Sequence, residues 1–380
     1  MVTIEKYTEI KYDDYNVHAA YTSENFWVDA DRLVLFKQDK TTGKPYLMLV
    51  SLKDGTKEVL DEIDYSTDKL SYFVCRNKVI YSTGDKIGIL DVDTRENEVV
   101  YRLELTDREK EILYTDKYTE FRDKIFSGEN NLLMLPHATN DGRYISVYRI
   151  HINFDSAEAN GYIPDKYAEF IIIDAVEKKV KYTYQKVFAG SFWVANHLAV
   201  NPVNPDIFAF SHEGDACYVP NRIWLYDNTQ KRAWNAMKQE TDGDNVLLEF
   251  IVHELWAPSG RGMYYIKYNG SEKPSGIGYL DLDTGNKKVL YSAFPYWHCT
   301  ASMDETMLAG DTQPHPNVGL SKVIIIDTKD GSETVIDTVL ETGNHPSHPH
   351  PQIAPDNSKV AYTYLDKNGN IAVKIAYLQR

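Results

Sequence analysis

One phrase recurs along the whole chain. An apolar or aromatic strand is followed by a small polar turn with Asp, Asn or Gly, a second apolar strand, an Asp-rich hairpin and a third strand. Copies run from Phe26 to Leu60, Leu70 to Leu103, Leu132 to Tyr184, His197 to Met237, Phe250 to Tyr291, Trp297 to Ile336 and His345 to Leu378. Self-similarity at tens of residues marks a repeat architecture. Spread over 380 residues, seven copies average about 54 residues. That is slightly above the roughly 40 to 50 of a four-stranded propeller blade and leaves room for loop insertions. The expected fold is all-β, a seven-bladed β-propeller forming a single domain over residues 1–380. The segment Tyr15 to Tyr21 is expected to add the strand that closes the ring, since closure removes exposed edges. A charged insert, residues 106–129, interrupts the pattern, and Arg108 to Leu113 within it can form a helical turn or two. A two-sheet sandwich would not need so regular a turn phrase.

Composition agrees with strands: 12% of residues are aromatic. The formal net charge of -15 argues against nucleic-acid or membrane-surface partners, which need a cationic field. Cys75, Cys217 and Cys299 are scattered and odd in number, which fits a reducing compartment better than a disulfide framework. The opening Met1 to Lys6 lacks a basic segment leading into an apolar one, so the expected location is the cytoplasm. Asp-rich turns such as Asp91-Val92-Asp93 and Asp281-Leu282-Asp283 lack the frame of a calcium loop and read as hairpin turns.

The stretch His345-Pro346-Ser347-His348-Pro349-His350-Pro351 places three of the eleven histidines within six residues. Its prolines keep the backbone extended or turning. In a strand, His348 and His350 point to one side, which is metal-ligand geometry, while His345 joins them only across a turn. Histidines also open the later copies: His197, His253 in His253-Glu254-Leu255-Trp256, His298, and His348 with His350. Equivalent positions in successive blades surround one channel mouth, so these residues converge. His298 becomes a fourth candidate ligand beside His345, His348 and His350. His253, one blade away, is the candidate catalytic base. His212 in His212-Glu213-Gly214 and Arg222 follow in the fourth copy. Arg222 offers a planar fork suited to a carboxylate, or an internal ion pair with Asp215 or Glu213.

These phrases resemble the oligogalacturonate lyase family of seven-bladed propellers. The resemblance rests on His197 with Asn201-Pro202 and Pro205-Asp206, Ser211-His212-Glu213-Gly214, Arg222-Ile223-Trp224, His253-Glu254-Leu255-Trp256-Ala257-Pro258, His298 and His348-Pro349-His350-Pro351. It covers the C-terminal half well and the N-terminal half only as a blade pattern. It implies β-elimination at a 4-linked uronate, with digalacturonate as a short acidic oligosaccharide substrate and 5-keto-4-deoxyuronate as the product. It also implies that His253 is the catalytic base, while Arg222 is a candidate for a catalytic role and, with His197 and His212, for substrate contacts. The ion is implied to be manganese-like, with His298, His348 and His350 as ligands. Where the family pattern has glutamine, this chain has His345. An added imidazole favours nitrogen-loving metals, so Zn2+, Ni2+ and Fe2+ stand beside Mn2+. Two other readings remain open: a lyase or epimerase for another uronate, and a TolB-like propeller that serves as an interaction module.

Overall fold

The computed structural model describes residues 2–21, 25–65, 70–115, 134–152, 166–190, 192, 194–315 and 317–379. Among the described residues there are five separate four-stranded antiparallel sheets and one eight-stranded sheet. The eight-stranded sheet divides into two four-stranded units joined by the single pairing Leu340↔Leu365. Strand pairing therefore yields seven blades. The first strands of the second, third and fourth blades touch in succession, as do those of the fifth, sixth and seventh, which puts the first strands on the inner ring around the axis. In blade order they are Tyr15–His18, Leu70–Cys75, Met134–Ala138, Ala195–Val200, Ile251–Trp256, Tyr296–Ala301 and Gln352–Ile353.

One sequence expectation changes here. The closing strand is Thr3–Ile10, which pairs antiparallel with Ile371–Gln379 as the outer strand of the seventh blade. Tyr15–His18 is instead the inner strand of the first blade, paired with Arg32–Asp39. The charged insert opens with a helix, Asp107–Tyr114, capped reciprocally by Thr106 and Glu109. Residues 116–129 of that insert lie outside the described residues.

Apolar side chains fill the spaces between blades. Ile80, Ile87 and Ile89 of the second blade pack with Ile145, Val147, Ile171 and Ile173 of the third. Ala209, Ile223 and Leu225 of the fourth meet Met263, Tyr265 and Leu280 of the fifth. Each fully buried large aliphatic side chain contributes about 1.5–3 kcal/mol, and the contacts lock each blade to the next. The Asp-rich turns are held by their own carboxylates. Asp91 Oδ1 accepts from the backbone N–H of Asp93 and Thr94 at 2.9 and 3.1 Å, and Asp227 Oδ1 accepts from Thr229 and Gln230 at 2.7 and 3.1 Å.

The inner strands carry the device that builds the site. Their register slips between Met134 and His137, Asn196 and Ala199, Val252 and Leu255, and Tyr296 and His298. Leu135, His197 and His253 sit in three of these bulges with φ of 44°, 48° and 51°, and His350 has φ of 43° just ahead of its own inner strand. Left-handed backbone costs a non-glycine residue about 1–3 kcal/mol and is kept where a bulge must aim a side chain. An axial cavity of about 180 Å³ lies within the ring, lined by Phe73, His137, His197, His253, Thr300 and Gln352 from six successive blades, and by Tyr21 after the inner strand of the first.

Candidate active site and metal centre

His298, His348 and His350 form a buried cluster whose candidate ligand atoms all lie within 4.8 Å of one another. His298 opens the sixth blade opposite Asp311 on the next strand. Asp311 is fully buried and accepts four contacts. His298 Nδ1 reaches its two oxygens at 2.9 and 3.0 Å, the His298 backbone N–H reaches Oδ1 at 2.8 Å, and the His350 backbone N–H reaches Oδ2 at 3.1 Å. The carboxylate thus fixes the His298 ring and turns Nε2 away. His298 Nε2, His350 Nε2 and both nitrogens of His348 are buried without hydrogen-bond partners. Orphaned buried donors and acceptors are costly, and convergent orphans call for a ligand.

Glu341 stands behind His348, with Oε2 3.9 Å from His348 Nε2 and neither oxygen hydrogen-bonded. Desolvation drives the titrations here. It holds His298 and His350 well below the usual imidazole range, helped by neighbouring histidines, so both rings are neutral ligands. It pushes Asp311 up to about 7 against the backbone N–H groups that favour its charge, and Glu341 up to about 8 with help from Asp311. Three neutral imidazoles backed by two buried carboxyl groups suit a divalent first-row cation in charge and in donor type. His345 packs beside this set, 4.3 Å from the His348 ring and 5.3 Å from that of His350, but is not one of the three converging residues.

His253 adjoins the cluster edge-on, its ring centroid 4.3 Å from that of His298. Burial, His298 and Arg222 hold its pKa well below normal, which keeps the ring neutral. Both nitrogens are engaged by tyrosines: Tyr21 Oη lies 2.8 Å from Nδ1, and Tyr268 Oη lies 2.9 Å from Nε2. Trp297 Nε1 donates to Tyr268 Oη at 2.8 Å. Tyr21 is central to the whole arrangement. Its ring lies 5.0 to 6.2 Å from those of His197, His253, His298, His345 and His350. Burial raises the pKa of its hydroxyl strongly.

Arg222 is held by two carboxylates. Its Nε donates to Glu254 at 2.8 Å, and its terminal nitrogens reach Glu213 at 3.1 and 3.4 Å. Ser211 donates a further hydrogen bond to Glu254. Asp215 takes no part and caps a turn at Cys217. His197 Nε2 lies 3.3 Å from Glu213. Desolvation opposes charge on His197, but the Glu213 carboxylate outweighs it and raises the pKa. Burial would raise Glu213, yet Arg222 and His197 hold it far below the carboxylate range. The result is a partly buried His197–Glu213–Arg222–Glu254 network, of which His197, Arg222 and Glu254 line the cavity. His212 is not brought to this centre: it stacks on Phe188 at 3.7 Å and bonds the Phe192 carbonyl at 2.6 Å.

Sequence reasoning missed Tyr21, Tyr268, Asp311 and Glu341, and gave His18 and His137 no role. Those two histidines occupy inner strands just as His197 and His253 do. Their place in the repeat was the available signal.

A family model described as oligogalacturonate lyase matches residues 174–379, rather more than half of the chain. The chain belongs to the oligogalacturonate lyase family. Two curated relatives are the oligogalacturonide lyase of Pectobacterium atrosepticum, 29% identical over 198 residues, and the oligogalacturonate lyase of Dickeya dadantii, 25% identical over 196 residues. Each alignment covers 47% of this chain and 49% of the relative, so the match spans about half the length of these curated relatives. Among solved structures, an oligogalacturonate lyase in complex with manganese aligns with TM-score 0.75 at 18% identity, over 100% of this chain and 95% of that one. An oligogalacturonate lyase from Vibrio parahaemolyticus aligns with TM-score 0.69 at 18% identity, over 99% and 98% of the two chains. At such identity these structures report the fold. The family match takes in every histidine of the metal cluster and His253, but Tyr21 lies outside it.

Proposed function

We propose that this family member is a metal-dependent lyase that cleaves short 4-linked galacturonate oligosaccharides, digalacturonate foremost, by β-elimination. The observation that carries the reading is the orphaned nitrogen set of His298, His348 and His350 packed against the neutral ring of His253. These three histidines would hold the metal, with Asp311 orienting His298. Manganese is the ion of the similar solved lyase, and the donor set here accepts it, as it would Zn2+, Ni2+ or Fe2+. When bound, the divalent ion supplies positive charge beside the uronate carboxylate, where negative charge builds as the C5 hydrogen leaves.

His253 is the base that takes up one proton as the C5 hydrogen leaves. Desolvation keeps it neutral at rest, and of the charged groups around it Glu213 favours the imidazolium form while Arg222 opposes it. The C5–H electron pair becomes the C4–C5 double bond, the C4–O4 bond breaks, and an unsaturated uronate that opens to 5-keto-4-deoxyuronate remains. Arg222, with its fork already engaged by Glu213 and Glu254, fixes this wall and the orientation of His197. His197 lines the cavity with a raised pKa and would offer a positive contact to an acidic sugar. His345, against the His348 ring, would complete or flank the ligand set. The small acidic substrate needs no basic track, because charge focused at the site outweighs carboxylates more than about 8 Å away in physiological salt. Cytoplasmic location is part of the proposal, supported by three free cysteines. No helix among the described residues is long and apolar enough to cross a membrane.

The test is to incubate manganese-loaded protein with digalacturonate and follow the ultraviolet absorbance of the unsaturated uronate. Absorbance rises with the wild type and not with His253→Ala. A flat trace from protein shown to hold its metal would overturn the reading.

A further inference from the structure

The proton acceptor of the site is covered. A neutral imidazole has one lone pair and one N–H, and both positions of His253 already face tyrosine oxygens, at 2.8 Å from Tyr21 and 2.9 Å from Tyr268. Tyr268 also receives the indole N–H of Trp297. On the metal side of His253 stands Tyr21, whose ring is 5.0 Å from that of His350 and 6.1 Å from that of His298. Of the two tyrosines that cap His253, Tyr21 is the one in ring contact with this cluster, so a sugar whose carboxylate lies there would sit beside the Tyr21 hydroxyl.

We propose that Tyr21 is the catalytic residue that receives the C5 hydrogen, passing its own hydroxyl proton to His253 Nδ1 in the same step. The inference rests on the lyase reading above. Donor and acceptor accounting supports it. With Tyr21 donating to Nδ1, the Nε2–H of His253 donates to Tyr268, whose two lone pairs take this bond and that of Trp297. After transfer, the imidazolium donates to Tyr21 through Nδ1 and to Tyr268 through Nε2, so both of its ring N–H groups have acceptors. The C5–H bond breaks and a new Tyr21 O–H bond forms. The old Tyr21 O–H bond breaks and an Nδ1–H bond forms. The electron pair from C5 becomes the C4–C5 double bond, and O4 departs with its bonding pair and takes a proton from water. The imidazolium then returns its proton to solvent through Tyr21, restoring the resting arrangement. Tyr21 comes from the first blade, outside the family-matched residues, and reaches the centre only because the ring closes.

Tyr21→Phe keeps the ring and removes the relay. The variant is expected to bind manganese with unchanged affinity by calorimetry and to keep its KM, while kcat falls at least about 100-fold, the usual weight of a proton-transfer group. Tyr21→Phe/His253→Ala is then no slower than His253→Ala alone, because the two residues act as a unit. A Tyr21→Phe enzyme with kcat within about threefold of wild type, or faster as expected of an unplugged channel, would overturn the relay. A measurement on the wild type needs no variant to fold. Direct capture of the non-exchangeable C5 hydrogen leaves at most one solvent-derived proton in flight, the one taken by O4, whereas the relay adds the Tyr21 hydroxyl proton. A proton inventory of single-turnover elimination in mixed water and deuterium oxide that curves, as for two protons in flight, supports the relay, and a linear one contradicts it. If metal-loaded wild type forms no unsaturated product, the lyase reading falls and the relay with it. Active wild type beside an active Tyr21→Phe removes the relay alone.

Discussion

Replacing Asp311 by Asn tests whether the metal centre is built from behind. The carboxylate is wholly buried and serves four contacts, two of them to His298 Nδ1. An Asn oxygen in place of Oδ1 still accepts from the His298 backbone N–H and ring. Its amide NH2 then faces the His350 backbone N–H across the present 3.1 Å contact, donor against donor. One hydrogen bond to a charged group is lost, worth about 1.5–3 kcal/mol, and the carboxylate no longer raises the basicity of His298. Manganese affinity should fall about 10- to 100-fold, which is about 1.4–2.7 kcal/mol. Calorimetric titration of metal-stripped protein measures this, with circular dichroism confirming the strands. Glu341→Gln should weaken binding less, since Glu341 sits 3.9 Å from His348 and makes no hydrogen bond to it. An Asp311→Asn affinity within about twofold of wild type would refute the claim that this carboxylate orients a ligand.

Other consequences follow from burial and pairing. Arg222→Ala leaves the buried Glu254 and the Glu213 carboxylate without their cation, so unfolding free energy in urea should drop by about 3–5 kcal/mol; a loss under about 1 kcal/mol would contradict the network. His212→Ala removes only a stack on Phe188 and a bond to a carbonyl, so kcat/KM should stay within about threefold and stability should fall by about 1 kcal/mol in thermal melts. Burial lowers His137 to about 3, below its unfolded value of 6.5, so the unfolded chain binds the proton first and stability falls as pH drops through this window. Between pH 7 and 5 this group should cost about 2 kcal/mol, and His137→Gln should flatten the urea-midpoint profile by that amount.

Much of the fold was legible because a propeller repeats its turn chemistry. Carboxylates such as Asp91 and Asp227 recur where hairpins need an acceptor for backbone N–H groups, and apolar strands lie between them. The closing strand was not legible. Thr3–Ile10 is an outer strand with one half-buried face and reads as polar, whereas Tyr15–His18 looks like a strand and is one, but an inner one. His298, His348 and His350 stood out because prolines and blade starts frame them. Asp311, Glu341, Tyr21 and Tyr268 did not, since an acid or a tyrosine inside a strand or loop has no local mark, and its partner is set only by ring closure. Glu254 shows the same limit: beside His253 it reads as a surface companion, yet its side chain is 4% exposed and pairs with Arg222 from the neighbouring blade.

The most direct test of the central claim is the proton NMR spectrum of digalacturonate after incubation with manganese-loaded protein. The account predicts a vinylic H4 signal growing in step with loss of the glycosidic linkage, absent with His253→Ala. Two saturated galacturonates would indicate hydrolysis, an intact disaccharide with inverted C5 would indicate epimerisation, and either spectrum would contradict elimination at this site.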